Sequence, residues 1–283
     1  MQTPRQSAAL IIAPGFYLLL FFALPMLVML AYSFRSTTGG AGHDVFTLAH
    51  YRSFLANANF QRLLLRSVSI SAAISILATL LAYPLAYCLA FESGPSKVML
   101  LTLIIVPTWS SYLLRVFAWK LVLGSNGLLN SLLLWLGAIK AAAPILIYSR
   151  SAVIVTLVYV WVPFVALPIF AALERIDRTL LEAAADMGCR PWQAFLRVTL
   201  PLSLPGVAAG FFFALIPTIG EFVTPLLVGG TSGAMYGNLI QDQFMRALNW
   251  PMGAVMSMVL LALVLVLIWI VQRFGAFADL AGV

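Results

Sequence analysis

The sequence predicts an all-α protein that crosses a membrane several times. Apolar residues make up 63% of the 283 residues and charged residues only 9%, and the mean hydropathy is +1.02. Soluble domains carry about 25% charged residues. Long apolar segments alternate with short polar ones, and an apolar segment crosses a bilayer as a helix because a helix satisfies its own backbone hydrogen bonds. We therefore expect a polytopic membrane protein.

Six segments are long enough to cross a bilayer, whose hydrocarbon core of about 30 Å takes roughly 20 helical residues. We predict the spans at 10–33, 64–91, 98–123, 148–173, 203–228 and 253–273. The first span follows Arg5, is longer than a signal-peptide core and lacks a convincing cleavage site, so we expect it to be retained. Proline interrupts several spans, which favours a transport path over a passive anchor because cavity water or neighbouring helices can satisfy the freed carbonyls.

The segments between the spans are polar. We expect loops or turns at 34–62, 92–97, 124–147, 174–202 and 229–252. The second span opens with a polar stripe that includes Ser67, Ser71 and Ser75, so its first turns should face protein or water rather than lipid. No internal repeat is evident. We expect one transmembrane domain over 1–283, with 174–202 as a loop within it.

The net charge of +7 belongs to basic residues that flank apolar spans, as lipid headgroups favour, so we infer no binding to nucleic acid. Six spans put both termini on the same side as 174–202. Seven basic residues on that side face seven on the other: Arg5, Lys97, Arg175, Arg178, Arg190, Arg197 and Arg273 against Arg35, Arg52, Arg62, Arg66, Lys140, Arg150 and Arg246. This tie leaves the orientation open. Cys88 and Cys189 lie in different settings and indicate no disulfide framework.

Residues 174–202, called the insert below, have the pattern of two short helices joined at Gly188. Thr179 and Glu182 have the spacing of a capping box, and the alanines after Glu182 favour helix. Gly188 suits the left-handed residue that closes a helix. On periodicity alone, a well-capped hairpin at the membrane interface explains the insert equally well.

The second short helix of the insert should begin at Pro191, because proline fits the first position of a helix. It carries Trp192, Phe195 and Leu196 and should end at Leu200-Pro201.

The insert also carries a spaced motif: Glu-Ala-Ala, three residues, Gly, nine residues, an aliphatic residue, one residue, then Leu-Pro. The residues that fit are Glu182, Ala183, Ala184, Gly188, Val198, Leu200 and Pro201. In this motif the chain resembles the membrane subunits of bacterial ATP-binding-cassette (ABC) importers. The resemblance implies a type I ABC importer permease fold. It also implies that the insert, with Asp186 in its first helix, docks onto a separate ATPase.

Further segments match a narrower pattern. They are Tyr83–Tyr87, Arg115–Trp119, Gly127–Asn130, Leu173–Asp177, Gly220–Gly230, Gly237–Ile240, Asp242–Phe244 and Asn249–Pro251. Together they resemble the first of the two permeases in spermidine/putrescine-type importers, although many family members carry Asp where this chain has Glu221. The resemblance implies a polyamine as the solute. The alternative is another amino or charged solute, such as an opine or an amino acid derivative.

The resemblance also implies an assembly. This chain would pair with a second, homologous permease, two copies of an ABC ATPase and a periplasmic substrate-binding protein. It would lie in the bacterial inner membrane with both termini cytoplasmic and work by alternating access. ATP and magnesium would bind to the ATPase. The glycine-rich stretch 229–233 is not followed by Lys-Ser/Thr and is no phosphate-binding loop, so we expect no cofactor in this chain.

Glu221 is the only carboxylate inside a predicted span. An ionisable group at membrane depth is costly and usually faces the bundle interior or a water-filled cavity. Two interpretations stay open. Glu221 attracts an ammonium group of the passing solute, or it is a structural partner of Arg115, Lys120 or freed backbone donors near Pro217.

Aromatic side chains can stabilise a passing cation through their ring faces. The candidates are Trp109, Tyr112, Trp119, Tyr159 and Trp161. For each of them, packing or an interfacial belt is the alternative explanation.

Two other classes of protein are disfavoured. A secondary transporter would need coupling carboxylates in its spans and no insert motif. A membrane enzyme would need a catalytic set, but His43 and His50 lie together in one polar loop, and no metal-ligand cluster or Ser-His-Asp set is apparent. We therefore expect no enzymatic activity and no metal site in this chain.

Overall fold

The computed structural model describes residues 14–36, 46–92, 94–137, 139 and 147–280. Arg5, His43 and Lys140 lie outside these ranges. Regular structure in the described residues is helical, apart from one isolated bridge between Arg35 and Phe46. The α-helices are α1 (Leu24–Ser33), α2 (Ala49–Ala56), α3 (Ala58–Tyr87), α4 (Lys97–Ile105), α5 (Tyr112–Leu123), α6 (Leu128–Trp135), α7 (Arg150–Glu174), α8 (Arg178–Asp186), α9 (Pro191–Ala194), α10 (Leu200–Ile219), α11 (Tyr236–Met245) and α12 (Trp250–Leu280).

Within the described ranges, six helical segments are long and apolar enough to cross a membrane. They are Pro14–Ser33, Ala58–Glu92, Tyr112–Trp135, Arg150–Glu174, Pro191–Ile219 and Trp250–Ile270. The predicted number of spans and the all-helical class are confirmed. Their bounds differ from the prediction in two informative places.

The third predicted span, 98–123, is not one helix. Helix α4 ends at Ile105, a 3₁₀ turn covers Val106–Trp109, and the backbone is extended at Ser110 before α5 begins. Pro107 explains the break, because its ring removes a backbone donor and clashes with the preceding turn. The long apolar segment here instead combines α5 and α6. The prediction was wrong because hydropathy alone does not register such a break.

The fifth predicted span, 203–228, starts earlier and ends earlier than expected. Helix α9 runs through a π-helical turn, Phe195–Thr199, directly into α10. The expected helix end at Leu200-Pro201 is therefore wrong. Pro201 lies in the first turn of α10, directly after the π-helical turn, and the helix continues through it. The far end of α10 is at Ile219, and Gly220 follows it.

Three predicted loops contain short helices. Helix α2 lies in 34–62, α6 in 124–147 and α11 in 229–252. These helices are shorter than a bilayer is thick, so they went unnoticed in a search for spans.

The chain forms two compact units, 1–62 with 239–266 and 63–238 with 267–283. In the first unit, the Ser33 and Tyr51 hydroxyls are 2.8 Å apart. In the same unit, the Phe244 ring packs closely on Gly253. A Cβ added at Gly253 would lie 2.8 Å from that ring.

The second unit contains the insert and two hydrophobic clusters. One cluster includes Ile74 of α3 with Val153 and Leu157 of α7. The other includes Ala82 of α3 and Ile169 of α7. The polar stripe at the start of α3 faces protein as predicted, since Ser67, Ser71 and Ser75 are fully buried.

Helices α7 and α10 pack with almost no space between them. A Cβ added at Gly206 of α10 would lie 2.6 Å from the carbonyl oxygen of Pro168. At Gly210, the same atom would lie 2.9 Å from the carbonyl oxygen of Val165. The pair forms a rigid connection between the insert, which follows α7 at Glu174, and the opposite end of α7 at Arg150.

Candidate functional site

The first helix of the insert, α8, is capped by a different residue from the one predicted. The Asp177 carboxylate accepts a hydrogen bond from the Thr179 backbone N–H at 3.0 Å. This bond favours the charged carboxylate and holds the pKa of Asp177 below its usual value. The expected capping box of Thr179 and Glu182 is wrong, because Thr179 already lies inside the helix.

Gly188 closes α8 as predicted. Its φ is +80°, a conformation that residues with a side chain rarely adopt. The Gly188 N–H donates to the Ala185 carbonyl at 2.8 Å, and the Cys189 N–H donates to the Ala184 carbonyl at 3.0 Å. This pair of bonds is a Schellman motif. The angle between the two parts of the insert therefore depends on this single glycine.

The second part of the insert begins at Pro191, as predicted. The Gln193 side-chain oxygen accepts from the Arg190 backbone N–H at 2.9 Å. This bond satisfies a donor that the helix itself leaves unpaired. Both helices of the insert thus begin with a bond supplied by a neighbour in sequence.

The insert presents a mixed surface. Glu182, Ala183 and Asp186 are exposed, while Ala184 faces inward and is buried. Large apolar side chains are also exposed; Met187 is 79% exposed and Trp192 is 59% exposed. Leu200 is half-buried and Pro201 exposed. Exposed apolar side chains beside charged ones are typical of a surface that another protein covers.

Charged and aromatic contacts join the base of the insert to α4. Lys97 at the start of α4 forms an ion pair with Glu174 at the end of α7. The Lys97 ammonium also lies 5.0 Å from the ring centre of Phe170.

Aromatic contacts join the insert to α3. The Phe195 ring, in the π-helical turn, packs edge-on against Tyr83 and Tyr87, with ring centres 5.7 and 6.1 Å apart. The Tyr83 hydroxyl is 2.9 Å from Ser203 Oγ of α10. A displacement of the insert would therefore reach α3, α4 and α10 directly.

Glu221 lies after the end of α10 and caps the next helical turn. Its Oε1 accepts from the Val223 N–H at 2.8 Å and from the Thr224 N–H at 3.2 Å. The ion pairs among the described residues are Lys97–Glu174 and Arg246–Asp242, so neither Arg115 nor Lys120 pairs with Glu221 there. The carboxylate is instead held by backbone N–H groups. These groups lie just before Pro225, not near Pro217 as the sequence interpretation proposed.

Of the five aromatic candidates, Tyr112 is the one bonded to the Glu221 turn. Its hydroxyl is 2.5 Å from Oγ1 of Thr224, and the Thr224 backbone N–H donates to Glu221. Tyr112 is the first residue of α5, directly after the break at Pro107. Two interrupted helices thus meet through polar side chains, an arrangement found at solute sites of membrane transporters.

The other aromatic candidates lie elsewhere. Trp109 is 82% exposed, and Trp161 packs against Phe213 with ring centres 6.1 Å apart. The Tyr159 and Trp119 rings are 5.4 Å apart and line one cavity.

The turn at Glu221 is held from a third segment, the start of α11. Asn238 donates its side-chain N–H to the Phe222 carbonyl at 2.8 Å and accepts from the Met235 N–H at 3.0 Å. A Cβ at Gly237 would lie 2.5 Å from the Gly220 carbonyl oxygen. The sequence did not predict the structural roles of Asn238 and Gly237. A glycine beside an asparagine does not by itself indicate a contact with another segment.

A protein-family profile described as "Binding-protein-dependent transport system inner membrane component" matches residues 46–277. The chain belongs to this family. It is therefore a permease, the inner-membrane component of a binding-protein-dependent transport system.

Among the described residues, no group of three or more His, Cys, Asp or Glu side chains could hold a metal ion.

Two relatives of this permease are similar over most of their length. The spermidine/putrescine transport system permease protein PotB of Escherichia coli (strain K12) is 36% identical over 261 residues, covering 91% of this chain and 94% of the relative. The inner membrane ABC transporter permease protein YdcU of the same strain is 34% identical over 245 residues, covering 83% and 78%.

A solved structure shares the fold of the permease. It is the crystal structure of a bacterial ABC transporter involved in the import of the acidic polysaccharide alginate, with a TM-score of 0.76 and 16% identity. The match covers 96% of this chain and 95% of the other.

Proposed function

We propose that this permease imports a small solute that carries amino groups, with a polyamine as the first candidate. The similarity to the E. coli spermidine/putrescine permease protein supports this solute class, because it extends over most of both chains. The observation that carries the proposal is the carboxylate of Glu221 at a helix break, in a turn to which the Tyr112 hydroxyl bonds through Thr224. An anion near a phenol ring is suited to an ammonium group.

The mechanism that we propose is alternating access driven by a separate ATPase. The exposed surface of the insert, with Glu182, Asp186 and Met187, would fit into that ATPase. Closure of two ATPase copies would move the insert as one rigid piece and displace α3, α4 and α10 through the contacts described above. In this proposal, ATP and magnesium bind to the ATPase and not to this chain.

The remaining parts of the assembly are also proposals. A second, homologous permease would complete the pathway, and a periplasmic substrate-binding protein would deliver the solute. The insert would lie on the cytoplasmic side, together with both termini.

The alternative is an importer of the same class for another amino-containing solute. The fold does not decide between them, because the structure of similar fold comes from an importer of an acidic polysaccharide. Only the side chains along the pathway and the binding protein can set the charge of the solute.

The binding protein that acts with this permease offers a direct test. Its melting temperature should rise with spermidine or putrescine and change little with amino acid derivatives, opines or acidic sugars. If the melting temperature rises only with one of the other compounds, that compound is the solute, and the assignment as an importer permease is unchanged.

A second test concerns the division of labour between subunits. The purified chain should hydrolyse ATP no faster than background and should stimulate hydrolysis when its ATPase is added. Robust hydrolysis by the chain alone would contradict its assignment as a permease subunit.

A further inference from the structure

A cavity of about 620 Å³ lies between α3, α4, α5 and α7 in the second unit. Its size falls within the about 300–1,000 Å³ of ordinary small-molecule sites. The walls are mainly apolar, and α3 contributes Leu77, Leu81 and Leu85. Arg115 is the one charged side chain in the described lining. The cavity is thus a largely hydrocarbon-like space with a single cation.

Arg115 forms no ion pair in the described part of the chain. Its Nε is buried without a hydrogen-bond partner, and neither described ion pair includes it. An arginine within a membrane-spanning helix is costly unless it meets an anion, a carbonyl or water. The cavity therefore calls for an acceptor that the described chain does not supply.

The cavity runs along α7 from Ile154 to Pro163, about 14 Å at 1.5 Å per residue. Arg115 and Trp119 line it from α5, and the Trp119 ring lies 5.4 Å from that of Tyr159 on α7. A single cation beside a long apolar wall has the form that complements a phospholipid.

We propose that this cavity holds one phospholipid with an anionic headgroup. Its phosphate accepts hydrogen bonds from the Arg115 guanidinium, which suits phosphate geometry, and an acyl chain lies against the leucines of α3. The proposed cationic solute does not fit, because Arg115 repels it and no carboxylate lines the described walls. A helix of a second permease would have to bring a carboxylate into this apolar space, whereas the bilayer supplies phosphate groups everywhere.

The test uses the full chain, purified with its accompanying subunits and exchanged into phosphatidylglycerol or phosphatidylcholine. Native mass spectrometry counts the lipids that each complex retains. We expect the wild type to retain phosphatidylglycerol about five-fold more than phosphatidylcholine, as one cation near an anionic lipid allows. Equal retention of the two lipids by the wild type would overturn the proposal.

Two variants separate the headgroup from the acyl chain. Arg115→Gln should remove the preference for phosphatidylglycerol. Leu81→Trp should fill the apolar wall and lower the retention of both lipids, with Arg115 still present. If Arg115→Gln does not fold, Arg115→Lys replaces it and should keep the preference for phosphatidylglycerol. Leu81→Trp is then the deciding variant. Lipid retention at the wild-type level in Leu81→Trp contradicts the proposal.

Lys120→Gln is the matched control. Lys120 is on the same helix but outside the described lining, 6.0 Å from the ring centre of Tyr148. The preference for phosphatidylglycerol should persist in Lys120→Gln. Loss of the preference would mean that it depends on the overall positive charge of the protein and not on Arg115. Leu103→Cys tests the competing occupant, since efficient cross-linking at this position to a second permease would show that protein covers this face and would overturn the lipid site.

Discussion

The insert after α7 and the turn that carries Glu221 both interrupt helices of the second unit, but they are held by different kinds of hydrogen bonds. In the insert, Asp177, Gly188 and Gln193 bond to residues at most five positions away in sequence. At the Glu221 turn, Tyr112 bonds to Thr224 across 112 positions, and Asn238 bonds to Phe222 across 16. The insert is therefore capped locally, whereas the Glu221 turn combines its own local cap with bonds from two distant segments.

This difference explains how the two regions can serve different roles. A locally capped pair of helices keeps its shape while it moves, which suits a part that transmits force from another protein. A turn assembled from distant segments changes when those segments move, which suits a solute pathway that opens and closes. Substitutions at the two places should accordingly have different effects.

The largest effect is expected for Gly237→Ala. The new Cβ would lie 2.5 Å from the Gly220 carbonyl oxygen and 2.7 Å from that of Glu221, so backbone must shift. Overpacking of this kind lowers the free energy of unfolding by about 1–3 kcal/mol. The melting temperature of the purified complex should fall, and uptake should be lost. Gly15→Ala, whose added Cβ meets nothing within 4 Å, is the control and should melt like the wild type.

Glu221→Gln tests whether charge or shape matters at the turn. Glutamine keeps an oxygen that can accept from the Val223 and Thr224 N–H groups, so the melting temperature should change little. If Glu221 assists a cation, uptake should fall about ten-fold or more, since a charge in a partly desolvated pathway contributes on the order of a few kcal/mol. ATPase activity of the complex without solute should persist.

Glu221→Ala is the companion variant, because it removes the cap as well as the charge. It should lower the free energy of unfolding by about 1 kcal/mol, as for other caps. Normal uptake and stability in both variants would show that Glu221 neither assists the solute nor stabilises the turn. That result would weaken the case for a cationic solute.

Gly188→Leu tests the rigidity of the insert. An added Cβ meets nothing within 4 Å, so the effect comes from the left-handed backbone alone, at about 1–2 kcal/mol. We expect the chain to insert normally into the membrane, with uptake reduced and the ATPase poorly coupled. Gly188→Asn should retain most of the uptake, because asparagine tolerates this conformation. Uptake at the wild-type level in Gly188→Leu would mean that Gly188 does not fix the angle between the two helices of the insert.

The smallest effect is expected for Lys97→Gln. Its ion pair with Glu174 is partly exposed, with side chains 28% and 50% accessible, and such pairs contribute about 0.2–1 kcal/mol. The melting temperature should fall slightly, and Glu174→Gln together with Lys97→Gln should be no worse than either alone. A double-mutant cycle measures this coupling. Additive losses would mean that the two side chains act independently.

Much of the fold was predictable because its signals are local. Hydropathy over about 20 residues is enough to recognise most spans, so the number of spans was predicted correctly although the third was misplaced. The left-handed Gly188 and the helix start at Pro191 were also found, because each depends on one residue's backbone preference. The same local reasoning misplaced the cap of α8, since Asp177 and Thr179 can both cap and lie two residues apart.

The sequence by itself determined the class of protein, the number of spans and the position of the insert, because apolar length and local hydrogen bonds decide these. Only the tertiary structure decided that Tyr112 of α5 and Asn238 of α11 hold the turn at Glu221. Those features depend on contacts between residues far apart in the chain, such as the 112 positions between Tyr112 and Thr224. No periodicity or spacing within a single segment records such a contact.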